Sequence, residues 1–331
     1  MTTNSPVPKI AAPEDWVSAE GMLRHAQHIL AISHVNPDGD AIGSLLGFTL
    51  AMRAIGKTVT PCLQDAPSSR FGYISGFHDI KRTAQGEVDL LVSLDASDLQ
   101  RLGSVFEPGM HGRKPMVVFD HHITNTLFGS VNVVEPGKAS TAEIVYKLVR
   151  RMDIRLSPEI AVALLTGLVT DTLAFRTSNV TPDTLACATD LMSAGASLTE
   201  ITRQALVLQP FERIKFHAAG VATAKVEEGV IYATLSRKLR KEQGYEERGD
   251  AGLVGTLITA EEASVAAVFS ETDDGEVEIS LRSMPGFDVS QVALELGGGG
   301  HPAAAGCTVA GPMRTAVHHV LPMLKRIVAK T

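Results

Sequence analysis

The sequence predicts an α/β protein: a mostly parallel sheet flanked by helices, followed by a smaller α+β domain. Three observations carry this. The runs "ILAIS", "TVTPCL", "DLLVSLD" and "PMVVFD" are near-continuous Val, Leu and Ile, the pattern of strands buried on both faces, and helical patterns separate them. From about residue 205 the character shifts to a longer amphipathic helix and then to "GVIYATLS", "ASVAAVFS" and "EVEISLRS", strands of a second domain. At 331 residues, 44% hydrophobic and only 5% aromatic, the chain is long enough to build two cores. The expected organisation is a first domain over 1–195, a helical linker over 196–220 and a second domain over 221–331.

Taken in order, a helix around 14–28 leads into "ILAIS". "DAIGSLLGFTLAMRAIG" is apolar all round and stops at Gly56, as a buried helix with a glycine terminator does. Helical patterns follow at 140–152 and 157–170, and "TPDTLACATDLMSAG" begins with a cap at Thr181 and Pro182 in the first position. The charged, glycine-interrupted "SRKLRKEQGYEERGD" reads as a solvated loop or short helix. Neither an internal repeat nor a low-complexity segment is present.

Charge narrows the function classes. A net charge of -7 argues against a protein that tracks long, double-stranded nucleic acid through a broad basic face, and leaves open a short anionic substrate held by a few residues. Cys62, Cys187 and Cys307 match no zinc or disulfide spacing and read as buried reduced thiols of a cytoplasmic protein. "MTTNSPVPKIAAPEDW" has no leader-like apolar region, and "AVALLTGLV" is far shorter than the roughly 18 residues of a membrane helix, so no membrane partner is expected.

In open α/β sheets, ligands bind beyond the carboxyl ends of the strands. There, "ILAISH" ends at His34, "LLVSLD" at Asp95 and "MVVFDHH" at Asp120, His121 and His122. "HVNPDGDAIGS" adds Asp38 and Asp40 around a tight turn made by Pro37 and Gly39, and Asp171 interrupts the end of an apolar helix in "GLVTDT". Read singly, each aspartate is a helix cap or turn former. Read together, converging carboxylates with no lysine nearby repel one another unless protons or divalent cations neutralise them. Asp95 is the natural bridge between two ions. Such a pair, roughly 3.5 to 4 Å apart, can share a water, lower its pKa toward neutrality and clamp the oxygens of a phosphoryl displacement. Histidine and carboxylate ligands without thiolate suit Mn²⁺ best, with Co²⁺, Fe²⁺ or Mg²⁺ as lesser candidates and Zn²⁺ still open.

"HVNPDGDAIGS", "LDASD", "DHHITN" and "GLVTDT" resemble the four motifs of the DHH phosphoesterase superfamily, and "GGGGHPAAAG" at 297–306 resembles the hallmark of its DHHA1 C-terminal domain. "FGSVNVVEPGKASTAEIVYKL" and "VEISLRS" are similar to its nanoRNase subgroup, the NrnA-type bifunctional oligoribonucleases and pAp phosphatases. The resemblance implies His34, Asp38 and Asp95 on one metal and Asp40, Asp95, His121 and Asp171 on the other. It gives Asp120 the task of orienting its neighbouring histidine, and His122 that of facing the scissile phosphate. It also implies an active site in a cleft between a DHH metal-binding domain and a DHHA1 substrate-binding domain, and allows a homodimer.

The glycine run has its own physical reading. Four consecutive glycines cost backbone entropy and are a poor choice in a packed element, so Gly298, Gly299 and Gly300 are expected to bring amides close to an anion. His301 and the donor fork of Arg282 are expected to hold phosphate, with Arg101 and Asn125, and also Ser140 and Arg176, lining the cleft. Asp98 reads as a cap or turn residue, and His25, His28, His78, His111, His217, His318 and His319 as structural.

The function expected is that of a metal-dependent phosphohydrolase in which a hydroxide shared by two cations attacks phosphorus in line. Its substrates would be very short oligoribonucleotides and 3′-phosphoadenosine 5′-phosphate (pAp). The alternatives are a cyclic dinucleotide (c-di-AMP) or pApA phosphodiesterase, and less favoured, a manganese-dependent pyrophosphatase or a non-catalytic nucleotide sensor.

Overall fold

The computed structural model describes residues 10–84, 86–247 and 249–329; residues 1–9, from which much of the no-leader expectation was read, lie outside the described residues. Two compact units meet between Leu208 and Gln209, inside the stretch read as a linker.

In the first unit the elements are α1 (Pro13–His25), β1 (His28–Ile32), α2 (Gly39–Ala54), β2 (Thr58–Cys62), β3 (Leu90–Leu94), α3 (Pro108–His111), β4 (Met116–Asp120), β5 (Val131–Val134), α4 (Thr141–Arg151), α5 (Pro158–Asp171), α6 (Pro182–Ser193) and α7 (Leu198–Thr202). The first helix stops at His25, short of the expected 28, because His28 already pairs with Thr58 as the opening residue of β1. All strands are parallel, in the order β2-β1-β3-β4-β5. The fifth strand is an addition to the sequence reading: "VNVV" is too short to stand out, and it is ordered by pairing Val133 with Phe119 at the sheet edge. The strand order reverses between β1 and β3, which makes their carboxyl ends the natural ligand crevice.

One helix contact governs that crevice. Gly39, Gly43 and Gly47 recur every four residues along α2 and therefore share a face. A Cβ at Gly43 would lie 2.6 Å from both the Ala163 carbonyl oxygen and the Gly167 amide nitrogen, so α2 and α5 cross with their backbones nearly touching. Gly39 faces Thr170 and Gly47 faces Leu164, which means the helices run antiparallel. The first turn of α2, bearing Asp40, is thereby brought against the last turn of α5, bearing Asp171.

In the second unit the elements are α8 (Phe211–Val221), β6 (Lys225–Glu227), β7 (Val230–Leu235), α9 (Arg237–Glu242), α10 (Leu253–Leu257), β8 (Val265–Glu271), β9 (Glu276–Ser283), α11 (Ser290–Glu295), β10 (Gly299–His301), β11 (Ala304–Ala310) and α12 (Met313–Ala329). The sheet order is β10-β11-β9-β8-β7-β6, antiparallel except between β7 and β8. Strand β9 alternates strictly: Val277, Ile279 and Leu281 are buried in one core, while Glu278, Ser280 and Arg282 on the other face are half-buried. The charged stretch after β7 forms α9, capped by the Ser236 hydroxyl, which accepts from the Leu239 amide at 3.1 Å. Among the described residues, no helix is long and apolar enough to cross a membrane.

The same substitution should act with opposite signs at two glycines. Gly43→Ala should lower unfolding free energy by about 1–3 kcal/mol, because backbone atoms cannot yield to the new methyl. Gly21→Ala, inside α1 with nothing within 4 Å of the new carbon, should raise it by roughly 0.5–1 kcal/mol. Urea titrations of the two variants check this.

Candidate active site

Three strands of the first unit deliver the candidate ligands to one edge. His34 follows β1, and its Nδ1 sits 2.8 Å from the Val35 carbonyl oxygen, to which it donates. That bond directs Nε2 inward, 3.8 Å from Asp38 Oδ1 and 3.5 Å from Asp95 Oδ2. The loop behind it is tied down by the Val35 amide, which donates to the Arg101 carbonyl at 2.8 Å. Asp38 begins α2 as its N-cap: Oδ1 accepts from the Asp40 and Ala41 amides, both at 3.0 Å. The cap reading of this aspartate is thus met, and the same oxygen also faces His34 Nε2.

Asp95 follows β3 with a left-handed backbone, φ 60°. The residue is 2% exposed, and its two carboxylate oxygens face different histidines. Oδ2 faces His34, whereas Oδ1 lies 3.6 Å from His121 Nε2 and 3.7 Å from His122 Nδ1. His121 Nε2 lies 3.5 Å from Asp171 Oδ2 in turn. Asp40, fully buried, meets the N-terminus of α4: Oδ2 accepts from the Thr141 amide at 2.7 Å and Oδ1 from the Ala142 amide at 3.0 Å. Thr141 also donates its hydroxyl to Asp95 Oδ1 at 2.8 Å.

The electrostatics follow from this crowding. Burial pushes Asp40 well above the usual carboxylate range, and the charges of Asp95, Asp171 and Asp38 push the same way. Burial likewise raises Asp171, against the pull of His121 and with the repulsion of Asp95 and Asp38, to about 6. For Asp95 burial is overcome by the facing imidazole of His34 and the charges of His121 and His122, which hold it well below that range. His34 shows the converse: burial disfavours its cation, but the carboxylates of Asp38 and Asp95 facing its Nε2 carry it up to about 10. Carboxylates that draw protons and histidines that hold them mark a centre short of positive charge. Among the described residues, three groups have ligand atoms within 4.8 Å of one another: His34, Asp38 and Asp95; Asp40, His121 and Asp171; and Asp95, His121 and His122. Hard oxygen and imidazole donors in this density fit divalent cations, with Asp95 common to two of the groups.

Asp120 departs from the expectation in its partner. The histidine it orients is His122: Oδ1 accepts from His122 Nδ1 at 2.7 Å. His121, next in sequence, points instead to Asp95 and Asp171. For His122, burial is outweighed by the bond and charge of Asp120, which raise it to about 9, and its side chain stays 37% exposed. Asn125 was expected to meet substrate, but its amide is engaged internally. Nδ2 donates to Asp120 Oδ2 at 2.6 Å and to the Ala96 carbonyl at 3.1 Å, while Oδ1 accepts from the Leu127 amide at 2.7 Å. Ser140 caps α4 by accepting from the Glu143 amide at 3.2 Å, and Arg176 donates to the Leu173 carbonyl at 2.9 Å. Asp98 caps the helical turn that carries Arg101, whose side chain is exposed. Thr141 escaped the sequence reading; the signal available was the capping pattern "STAE", which places it in the first turn of α4.

In the second unit the glycine run also departs from the expectation of an open anion loop. The Gly297 and Gly298 amides terminate α11 by donating to the Leu294 and Ala293 carbonyls at 3.0 and 2.8 Å. Gly299 and Gly300 lie in β10, paired with Gly306 and Ala305. Two of the glycines are required by close packing: a Cβ at Gly298 would sit 2.5 Å from that of Cys307, and one at Gly300 2.5 Å from the Ala304 carbonyl oxygen. The hairpin puts His301 opposite Ala304, which is opposite Arg282 on β9. Directly paired residues share a sheet face, so His301 and Arg282 flank a small alanine on the face away from the Val277–Leu281 core.

Comparison with known proteins agrees with this architecture. Residues 28–168 match the DHH family, N-terminal domain, and residues 227–330 match the DHHA1 domain. The bifunctional oligoribonuclease and PAP phosphatase NrnA of Thermus thermophilus is 36% identical over 313 residues, 94% of this chain and 93% of that protein. The cyclic-di-AMP phosphodiesterase GdpP of Geobacillus thermodenitrificans is 26% identical over 85% of this chain but 44% of its own length. Among solved structures, an exopolyphosphatase-related protein from Bacteroides fragilis superposes with a TM-score of 0.88 at 25% identity, covering 98% of this chain and all of that one.

Gly167→Ala should disturb the site selectively. Its Cβ would lie 2.6 Å from Asp40 Oδ1, whereas one at Gly137 would meet nothing within 4 Å. If a divalent cation raises the melting temperature, Gly167→Ala should reduce that rise and Gly137→Ala should leave it intact, measured by thermal unfolding with and without each of Mn²⁺, Mg²⁺ and Co²⁺.

Proposed function

The chain belongs to the DHH family, and from that premise we propose that it is a metal-dependent phosphohydrolase. Its proposed reactions are the degradation of very short oligoribonucleotides to mononucleotides and the removal of the 3′-phosphate of pAp to leave AMP. The observation that carries this reading is the divided carboxylate of Asp95, one oxygen facing His34 and the other His121. A carboxylate placed to serve two cations would suit a site in which such a pair assists an in-line phosphoryl displacement. The substrate class is supported by the activity in the name of the Thermus relative, which is alike along nearly its whole length.

The proposed ligands are His34, Asp38 and Asp95 for one ion and Asp40, Asp95, His121 and Asp171 for the other, with Mn²⁺ the ion best suited to them. When bound, two such ions supply Lewis acidity toward the phosphate and a water that ionises near neutral pH. The residues do the rest. His122, held cationic by Asp120, turns its Nε2 proton toward a phosphate oxygen and offsets charge that develops as the leaving group departs. Asp120 acts through His122 as a positioning residue, and Asn125 holds Asp120 by the 2.6 Å bond. The two α4 amides that Asp40 accepts from favour its anion, and bound cations would add to that pull.

Substrate holding is assigned to Arg101, beside the His34 loop, and in the second unit to Arg282 and His301. A guanidinium fork and an imidazole flanking the small Ala304 suit a phosphate with an adjacent flat group. Gly298 and Gly300 serve by allowing the close packing of the hairpin that carries His301, in which Gly299 pairs with Gly306. Three free, buried cysteines support a cytoplasmic setting. The likeness to a cyclic-di-AMP phosphodiesterase favours cyclic dinucleotides or pApA as the second substrate reading.

Purified protein with Mn²⁺ should release mononucleotides from RNA dinucleotides and phosphate from pAp, and chelation should abolish both. Asp95→Ala should reduce turnover to background, whereas Arg282→Ala should raise KM by about tenfold, the loss of one charged hydrogen bond of roughly 1.5 kcal/mol, with kcat largely retained. Turnover of pyrophosphate or cyclic dinucleotides alone, in a panel that includes both, would overturn the assignment.

A further inference from the structure

Thr141 is fully buried, opens α4, and touches two ligands that come from different parts of the chain. Its hydroxyl donates to Asp95 Oδ1 at 2.8 Å, and its amide donates to Asp40 Oδ2 at 2.7 Å. Asp95 arrives from the end of β3 and Asp40 from the first turn of α2. The terminal torsion of an aspartate is soft, with a broad two-fold profile. A bridging carboxylate therefore needs something to fix its plane, or its two oxygens cannot each stay aimed at one ion. The Thr141 hydroxyl touches the oxygen that faces His121 and so sets that plane.

Thr141 is itself held. The Ser140 side chain caps the helix behind it, and Glu143, almost wholly buried, accepts from the Ala139 amide at 3.0 Å, Lys138 Nζ at 2.9 Å and the Thr184 hydroxyl at 3.2 Å. The turn leading into α4 is thus anchored from both sides, with Thr184 of α6 as the outermost support.

We infer that Thr141 is a positioning residue of the metal centre, whose hydroxyl fixes the bridging plane of Asp95 while its amide holds Asp40 in register with it. The inference rests on the two-cation reading of the site. It assigns the hydroxyl a role separable from the fold, because Thr141→Ser keeps the oxygen, Thr141→Ala removes it, and Thr141→Val replaces it at constant shape.

Calorimetric titration of Mn²⁺ into metal-free protein tests it, together with the Mn²⁺ concentration that gives half-maximal turnover. Thr141→Val and Thr141→Ala should bind Mn²⁺ about 10–100-fold more weakly, the range typical of lost outer partners of a ligand, while Thr141→Ser stays near the wild type. The half-activating Mn²⁺ concentration should rise by the same factor, with substrate KM at saturating Mn²⁺ unchanged. Equal affinities in Thr141→Ala and Thr141→Ser, whether both strong or both weak, overturn the inference; this pair decides even if Thr141→Val does not fold. A wild-type protein that binds no Mn²⁺, Mg²⁺ or Co²⁺ refutes the two-cation reading itself, and the inference with it.

Discussion

Mutual repulsion among carboxylates is the constraint from which the rest of the first unit follows. Asp38, Asp40, Asp95, Asp120 and Asp171 approach one crevice, and the ion pairs that four of them make go to His34, His121 and His122. Four of these carboxylates accept hydrogen bonds in the fold that need no cation. Asp38 takes the first amides of α2, Asp40 those of α4, Asp95 the Thr141 hydroxyl, and Asp120 the Asn125 amide and the His122 ring. These partners hold the carboxylates in place while leaving lone pairs turned toward one another, where positive charge is most stabilising.

The spacing of the centre is decided by an apolar contact. Side chains larger than hydrogen on the facing surfaces of α2 and α5 would separate the helices, and with them Asp40 and Asp171. Gly43 and Gly167 permit backbone contact, and Gly167 also leaves room for the Asp40 carboxylate itself. The ligand set is therefore as dependent on two residues without side chains as on those that supply the donor atoms. The loop ends contribute in the same way: the left-handed backbone at Asp95 turns its carboxylate out of the line of β3 into the crevice.

The second unit applies the same device to a different end. Glycines at 298 and 300 bring β10 against β11 so closely that no methyl group fits, and the hairpin presents His301 in line with Arg282. Ala304 between them keeps the row open. Polar groups thus stand on a sheet face whose opposite side is a continuous apolar core, giving rigid support to side chains that would otherwise be long and mobile.

Much of this was legible in the chain. Strand runs ending in His34, Asp95 and Asp120 located one sheet edge, because a parallel sheet buried on both faces writes itself as apolar runs and its ligand site lies at their ends. What could not be read was which oxygen meets which proton. Spacing alone does not separate the adjacent histidines 121 and 122; the resemblance groups His121 with Asp95 and Asp171, which it faces in the structure, and only the exit of β4 decides that His122 turns to Asp120. Asn125 and the glycine run read as ligand contacts in the sequence, whereas the fold engages Asn125 with Asp120 and Ala96 and packs Gly298 against Cys307. The sequence by itself determined the ligand types, their positions at strand and helix ends and the two-domain plan, since these rest on local periodicity and turn chemistry. Only the tertiary structure decided the pairing of donors, the close crossing of α2 on α5 and the place of Thr141, since a hydrogen bond between residues 46 or more apart has no trace in local pattern.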